Sequence, residues 1–203
     1  MKKKHWYDYL WIWSVVYFTL GFFNILFAWL GLIDFFLPLL IALIGGNKWF
    51  CNHLCGRGQL FALLPKKVKC SRNKPAPRWL SSKWFRYGFL AFFMTMFGTM
   101  VYRTFAVFSG TSSLREAVKL FWTFRIPWGF AYKSGFAPDW VAQFAFGFYG
   151  LMLTSALIGL IVMALYRPRT WCSFCPMGTM TQGICQIKHR KERKEGNHNG
   201  TEI

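Results

Sequence analysis

Three long uncharged stretches divide the chain. Leu10 to Ile33 runs for 24 residues without a charged side chain and Trp140 to Tyr166 for 27. Tyr87 to Phe108 runs for 22 with only Arg103, near one end. A helix needs about 20 apolar residues to cross a hydrocarbon core, so all three qualify as spans. A fourth run, Phe35 to Ile44, is 10 residues long and contains Pro38. Length alone leaves it open between a short span, a re-entrant segment and a buried half-helix.

Charge decides between these. Lys and Arg number 3 in residues 1–9, 10 in 47–86, 5 in 103–139 and 7 in 167–203. The positive-inside bias puts the N-terminus, the 47–86 loop and the C-terminus on the cytoplasmic side. An even number of crossings then separates the first two, so Leu30 to Gly46 is expected to cross, with Asp34 at its outer end. The pattern predicts an all-α, polytopic protein of a bacterial-type plasma membrane, with about four transmembrane helices and both termini cytoplasmic. Trp6, Trp11, Trp49, Trp79, Trp84 and Trp171 fall at the expected inner boundaries, and Trp29, Trp122, Trp128 and Trp140 at the outer ones, where an indole is most stable. No small-residue cleavage site follows the first apolar stretch. The composition agrees, with 54% hydrophobic and 21% aromatic residues. Topogenic lysines and contact with anionic lipid account for the net charge of +18. The lipid bilayer is therefore an expected partner, and nucleic acid is not.

The loop at 47–86 has an apolar half, Lys48 to Leu64, and a basic half, Pro65 to Lys83, expected to be irregular around Pro75 and Pro77. On the outer side, Ser113-Leu114-Arg115-Glu116 has the form of a capping box. With Leu114, Val118, Phe121 and Trp122 at helical spacing, it predicts a short amphipathic helix on the outer face. The tail from residue 189 to 203 is charged and expected to be disordered.

Two segments repeat. One reads Trp49-Phe50-Cys51-Asn52-His53-Leu54-Cys55-Gly56-Arg57-Gly58-Gln59-Leu60. The other reads Trp171-Cys172-Ser173-Phe174-Cys175-Pro176-Met177-Gly178-Thr179-Met180. Each follows an outside-to-inside span, each has a Gly three residues after its second Cys, and each is trailed by a further cysteine, Cys70 or Cys185. The chain thus divides into a hairpin with a C-x3-C motif and basic loop (1–86), a hairpin with a C-x2-C-P motif (87–188) and the tail (189–203).

All six cysteines are expected on the cytoplasmic side, where disulfides are unfavoured. Pairing at C-x3-C and C-x2-C argues against scattered inert thiols. Cys51, Cys55, Cys172 and Cys175 together supply four thiolates, a set suited to an iron–sulfur cluster or to zinc. Nearby positive charge favours the thiolate form, and Gly56, Gly58 and Gly178 let backbone amides approach sulfur. Cys70 and Cys185 are alternative or shared ligands. His53 lies between two candidates and reads as a boundary histidine.

The paired motifs resemble those of the NapH/NosR-type membrane polyferredoxin family, which repeats a C-x3-C-P-x-G-x-L element at the ends of transmembrane helices. The resemblance covers roughly residues 10–188, the membrane core only. It implies a [4Fe-4S] cluster on Cys51, Cys55, Cys172 and Cys175, and electron transfer to quinol or flavin partners. Gly56 stands where that family has Pro, and the second motif has two residues rather than three between its cysteines.

The expected function is electron relay between a cytosolic donor and a quinol, flavin or membrane partner, as a component rather than a stand-alone enzyme. The alternatives are a membrane thiol–disulfide oxidoreductase and a structural-zinc protein of assembly or metal handling. Asp8, Asp34, Glu116 and Asp139 are isolated acids and form no catalytic constellation. His5, His53, His189 and His198 all lie outside the spans, which excludes a bis-histidine haem within them.

Overall fold

A computed structural model describes residues 9–45, 50–68, 71–115, 117–120, 124–127, 129–132 and 137–199. Six α-helices dominate: α1 (Leu10–Phe23), α2 (Gly31–Gly45), α3 (Gly56–Val68), α4 (Lys83–Phe108), α5 (Asp139–Leu165) and α6 (Pro176–Asn199). Two short strands, β1 (Ala117–Leu120) and β2 (Phe124–Pro127), lie between α4 and α5.

The first apolar stretch is not one helix. Asn24 breaks it: the backbone turns extended, the Asn24 amide closes α1 on the carbonyl of Leu20, and its side chain accepts from the amide of Leu26 at 3.1 Å. A 3-10 turn, Ile25–Leu30, then leads into α2. The chain folds back on itself. The Tyr17 hydroxyl reaches the carbonyl of Ala28 and the Trp13 indole donates to Asp34 at 3.2 Å, so α1 and α2 run antiparallel. Ile25–Gly45, α4 and α5 are each long and apolar enough to cross a membrane, whereas α1 has 14 residues.

Helix α5 is the axis, with buried residues along most of its length. Helix α4 packs antiparallel against it, with Met100 over Gly147 and Phe108 edge-to-face with Trp140. The outer amphipathic helix expected from Leu114 and Val118 is instead an antiparallel strand pair, with Val118 opposite Ile126. Phe121, Trp122 and Glu116, which carried part of that expectation, lie outside the described residues. A spacing of four residues from Leu114 to Val118 satisfies a period of two as well as one of 3.6, and β-branched Val118 and Ile126 favour the strand. Val118 is fully buried against Ile25, Ala142, Ala145 and Phe146. Gly150 admits the strand, since a Cβ there would stand 2.7 Å from the carbonyl oxygen of Lys119.

The two helices that follow the cysteine motifs begin inside the bundle. Arg57, in the first turn of α3, reaches Ser155 and Met152, midway along α5. One turn later Phe61 fits against Gly159, in a cluster with Met163, Trp171 and Phe174. Helix α3 therefore starts beside the middle of α5 and runs toward its C-terminus. Helix α6 does the same beside α2. Met177 packs on the cluster that holds Phe35 and Phe93, and Lys188 donates to the carbonyls of Leu43 and Ile44, which end α2 without helical partners. Gly159 stands roughly 9 Å short of the end of α5, at 1.5 Å per residue. Trp171, expected in a boundary belt, is a core residue at 5% exposure beside Gly159. Helix α6 also continues through Asn199, so residues 189–199 are helical rather than irregular. Their Lys, Arg and Glu are good helix formers.

Candidate metal centre

Cys55 and Cys175 occupy equivalent positions, each the residue just before a helix. The carbonyl of Cys55 accepts the amide of Gln59 at 3.1 Å, and that of Cys175 accepts the amide of Thr179 at 2.9 Å. Each cysteine thus caps the positive end of its helix, where free amides and the helix dipole favour a sulfur anion. The amide of Gly58 donates to the Cys55 sulfur, and those of Met177 and Gly178 to the Cys175 sulfur. The glycine three residues after each second cysteine is therefore part of the site.

The four sulfurs from the two motifs border one cavity of about 550 Å³. Gly58 sits between the motifs: a Cβ built there would lie 3.6 Å from the Cys55 sulfur and 3.7 Å from the Cys172 sulfur. The Cys51 sulfur lies 3.8 Å from the Thr181 hydroxyl of α6. Burial pushes the Cys55 thiol up to about 11, against the opposing pull of the Gly58 amide. Burial and the neighbouring Cys55 and Cys175 push Cys172 up to about 12. Cys172 is exposed as a residue, but its sulfur borders the cavity, so protein surrounds much of it. Burial also raises Cys175, opposed by its two amide donors.

The donor set fits an iron–sulfur cluster. Four cysteines line one cavity, amides donate to the sulfurs of two of them, and Arg57 lines the same space. Among the described residues, no three His, Cys, Asp or Glu side chains converge on the position of a single ion. Four cysteines with backbone amides directed at their sulfurs are the kind of set that holds an iron–sulfur cluster.

Cys185 is buried on α6 and does not line the cavity. Cys70 lies outside the described residues. His53 is exposed, and its carbonyl accepts from the Gln59 side chain at 2.7 Å. Asp34 is a correction. Expected at the outer end of a span, it lies level with Trp13, one turn from the start of α1, and lines the cavity. The turn at Asn24 moves it there. An acid within an otherwise uncharged run was the signal that could have marked it. Arg57 was equally legible as the only charge in the first motif.

A helical protein with two paired cysteine motifs on one cavity has the donor set of a cluster-binding protein. The chain matches the model of a 4Fe-4S binding domain over residues 27–84 and 149–195, more than half its length, and these stretches contain both motifs. It belongs to that 4Fe-4S binding family, and its cofactor is a [4Fe-4S] cluster. No curated protein and no solved structure matches it.

Proposed function

We propose that Cys51, Cys55, Cys172 and Cys175 hold one [4Fe-4S] cluster and that the chain relays electrons within a bacterial-type plasma membrane, in the manner of the NapH/NosR-type polyferredoxins. The observation that carries this reading is the meeting of both motifs on one cavity. In it, α1 serves as a short fourth span beside the three longer helices, both termini are cytoplasmic, and the basic 47–86 loop steers an acidic cytosolic donor. The cavity also extends past the sulfurs to Trp13, Ile33 and Leu37. That apolar extension favours a quinol or other membrane partner over a second soluble protein as the other end of the relay.

The test is anaerobic purification followed by visible and EPR spectroscopy and metal analysis. The reading expects broad iron–sulfur absorption and about four irons per chain. A colourless protein with one zinc, or one without metal whose cysteines exchange disulfides, overturns it. Labelling of a tag at residue 203 from outside intact cells overturns the orientation.

A further inference from the structure

Among the described residues, Arg57 is the cation that lines the cavity of the cysteine motifs. Its guanidinium is drawn into the bundle, donating to the Ser155 hydroxyl at 3.0 Å and to the Met152 sulfur at 2.8 Å, with its carbon 5.5 Å from the centre of the Phe18 ring. All three partners are neutral. A half-buried charge held this way, with no counter-ion in contact among the described residues, is stabilised by an anion that completes the site. Asp34 lines the same cavity and attracts Arg57 electrostatically, but forms no ion pair with it. The thiolates of Cys55 and Cys175 are attracted by the same guanidinium. The second motif has no counterpart, since Met177 stands where Arg57 does, two residues beyond the capping cysteine.

We propose that Arg57 is the built-in counter-charge of the cluster and sets its reduction potential; this rests on the ligand assignment above. A cluster held by four thiolates is an anion, and one-electron reduction makes it more negative. Arg57 stabilises the added charge across a region of low dielectric, so it raises the potential. Ser155, Met152 and Phe18 fix the guanidinium where it can act. Arg57 is a positioning and tuning residue and touches no substrate.

The test is a redox titration of the purified holoprotein, followed by EPR, for wild type, Arg57→Gln, Arg57→Lys and Arg169→Gln. Arg169 also acts on Cys172 but is exposed, so solvent screens it. Arg57→Gln is expected to shift the reduction equilibrium at least tenfold toward the oxidised form, about 59 mV for one electron. Arg57→Lys and Arg169→Gln should each shift it less than about threefold. Equal potentials in wild type and Arg57→Gln overturn the proposal, and so do equal shifts in the Gln and Lys variants. If Arg57→Gln loses the cluster, iron retained under chelator reads the same ranking. Lys close to wild type supports the charge role, and equal loss in both variants overturns it. A wild type without iron sinks the ligand assignment instead, so the two failures are distinct.

Discussion

In the first cysteine motif the amide of Cys55 closes on the carbonyl of Phe50, five residues back, at 3.0 Å. In the second the amide of Cys175 closes on the carbonyl of Trp171, four residues back, at 3.0 Å. In both, the residue just before the first cysteine receives the amide of the second. The additional residue of C-x3-C is absorbed by one wide π-type turn, Phe50–Leu54, where C-x2-C uses a tight 3-10 turn, Thr170–Ser173. Unequal spacing therefore delivers the same end point, a capping cysteine at a helix start. The copies differ in what packs on that start. Pro176 opens α6 at the position that proline suits best. Gly56 opens α3 because α1 crosses there: a Cβ would stand 2.5 Å from the carbonyl oxygen of Leu10 and 2.7 Å from the Ser14 hydroxyl.

The largest effect should come from the capping cysteines. If the motifs contribute to one site, Cys55→Ala and Cys175→Ala each abolish the cluster, read as iron per chain and visible absorption. Cys185→Ala should leave both unchanged. Loss of only half the iron in each single variant would mean two independent sites.

The helix starts come next. Gly56→Ala forces a methyl onto backbone and should cost about 1–3 kcal/mol, as overpacking does. Pro176→Ala meets no such clash and should cost less than about 1 kcal/mol. Thermal unfolding in detergent compares them, and equal losses would remove the asymmetry argued from α1.

The smallest effect is a pH dependence. In the protein stripped of its cluster, the folded Cys55 thiol holds its proton up to about pH 11, whereas an unfolded thiol releases it near 8.5. The folded state then binds more protons, so its stability is complete below about pH 8.5 and falls as pH rises toward 11. At pH 9.5 the loss from Cys55 should be about 1 kcal/mol relative to pH 7. Cys172 adds to it in the same direction. If Cys55 and Cys172 ligate the cluster, the holoprotein has already given up these protons and should show no such slope. Unfolding of both forms at the two pH values checks it, and matching slopes would overturn it.

Much of this site could be read from the residues. The repeat, the four cysteines and the role of the following glycines all follow from short-range pattern. What escaped was depth. An uncharged run gives no sign of where it turns, and only the local bonding of Asn24 ends α1 and brings Asp34 beside the cavity. Arg57 stood out as a charge within the first motif, but what holds it did not, because its partners Ser155 and Met152 are nearly a hundred residues away. Val118 shows a third limit, since a four-residue spacing of apolar side chains suits a helix or a strand until a partner strand chooses.

The inward starts of α3 and α6 also bear on how such a chain is built. Arg57, Gln59, Lys66 and Lys67 on α3, and the charged second half of α6, prevent either helix from entering lipid alone. In the membrane reading proposed above, the long apolar helices are laid down first, and α3 and α6 then slot into the gap those helices frame. The sulfurs of the two motifs then meet at the last stage of biogenesis. On that reading, iron and sulfide would bind last, once the gap between the long helices is filled.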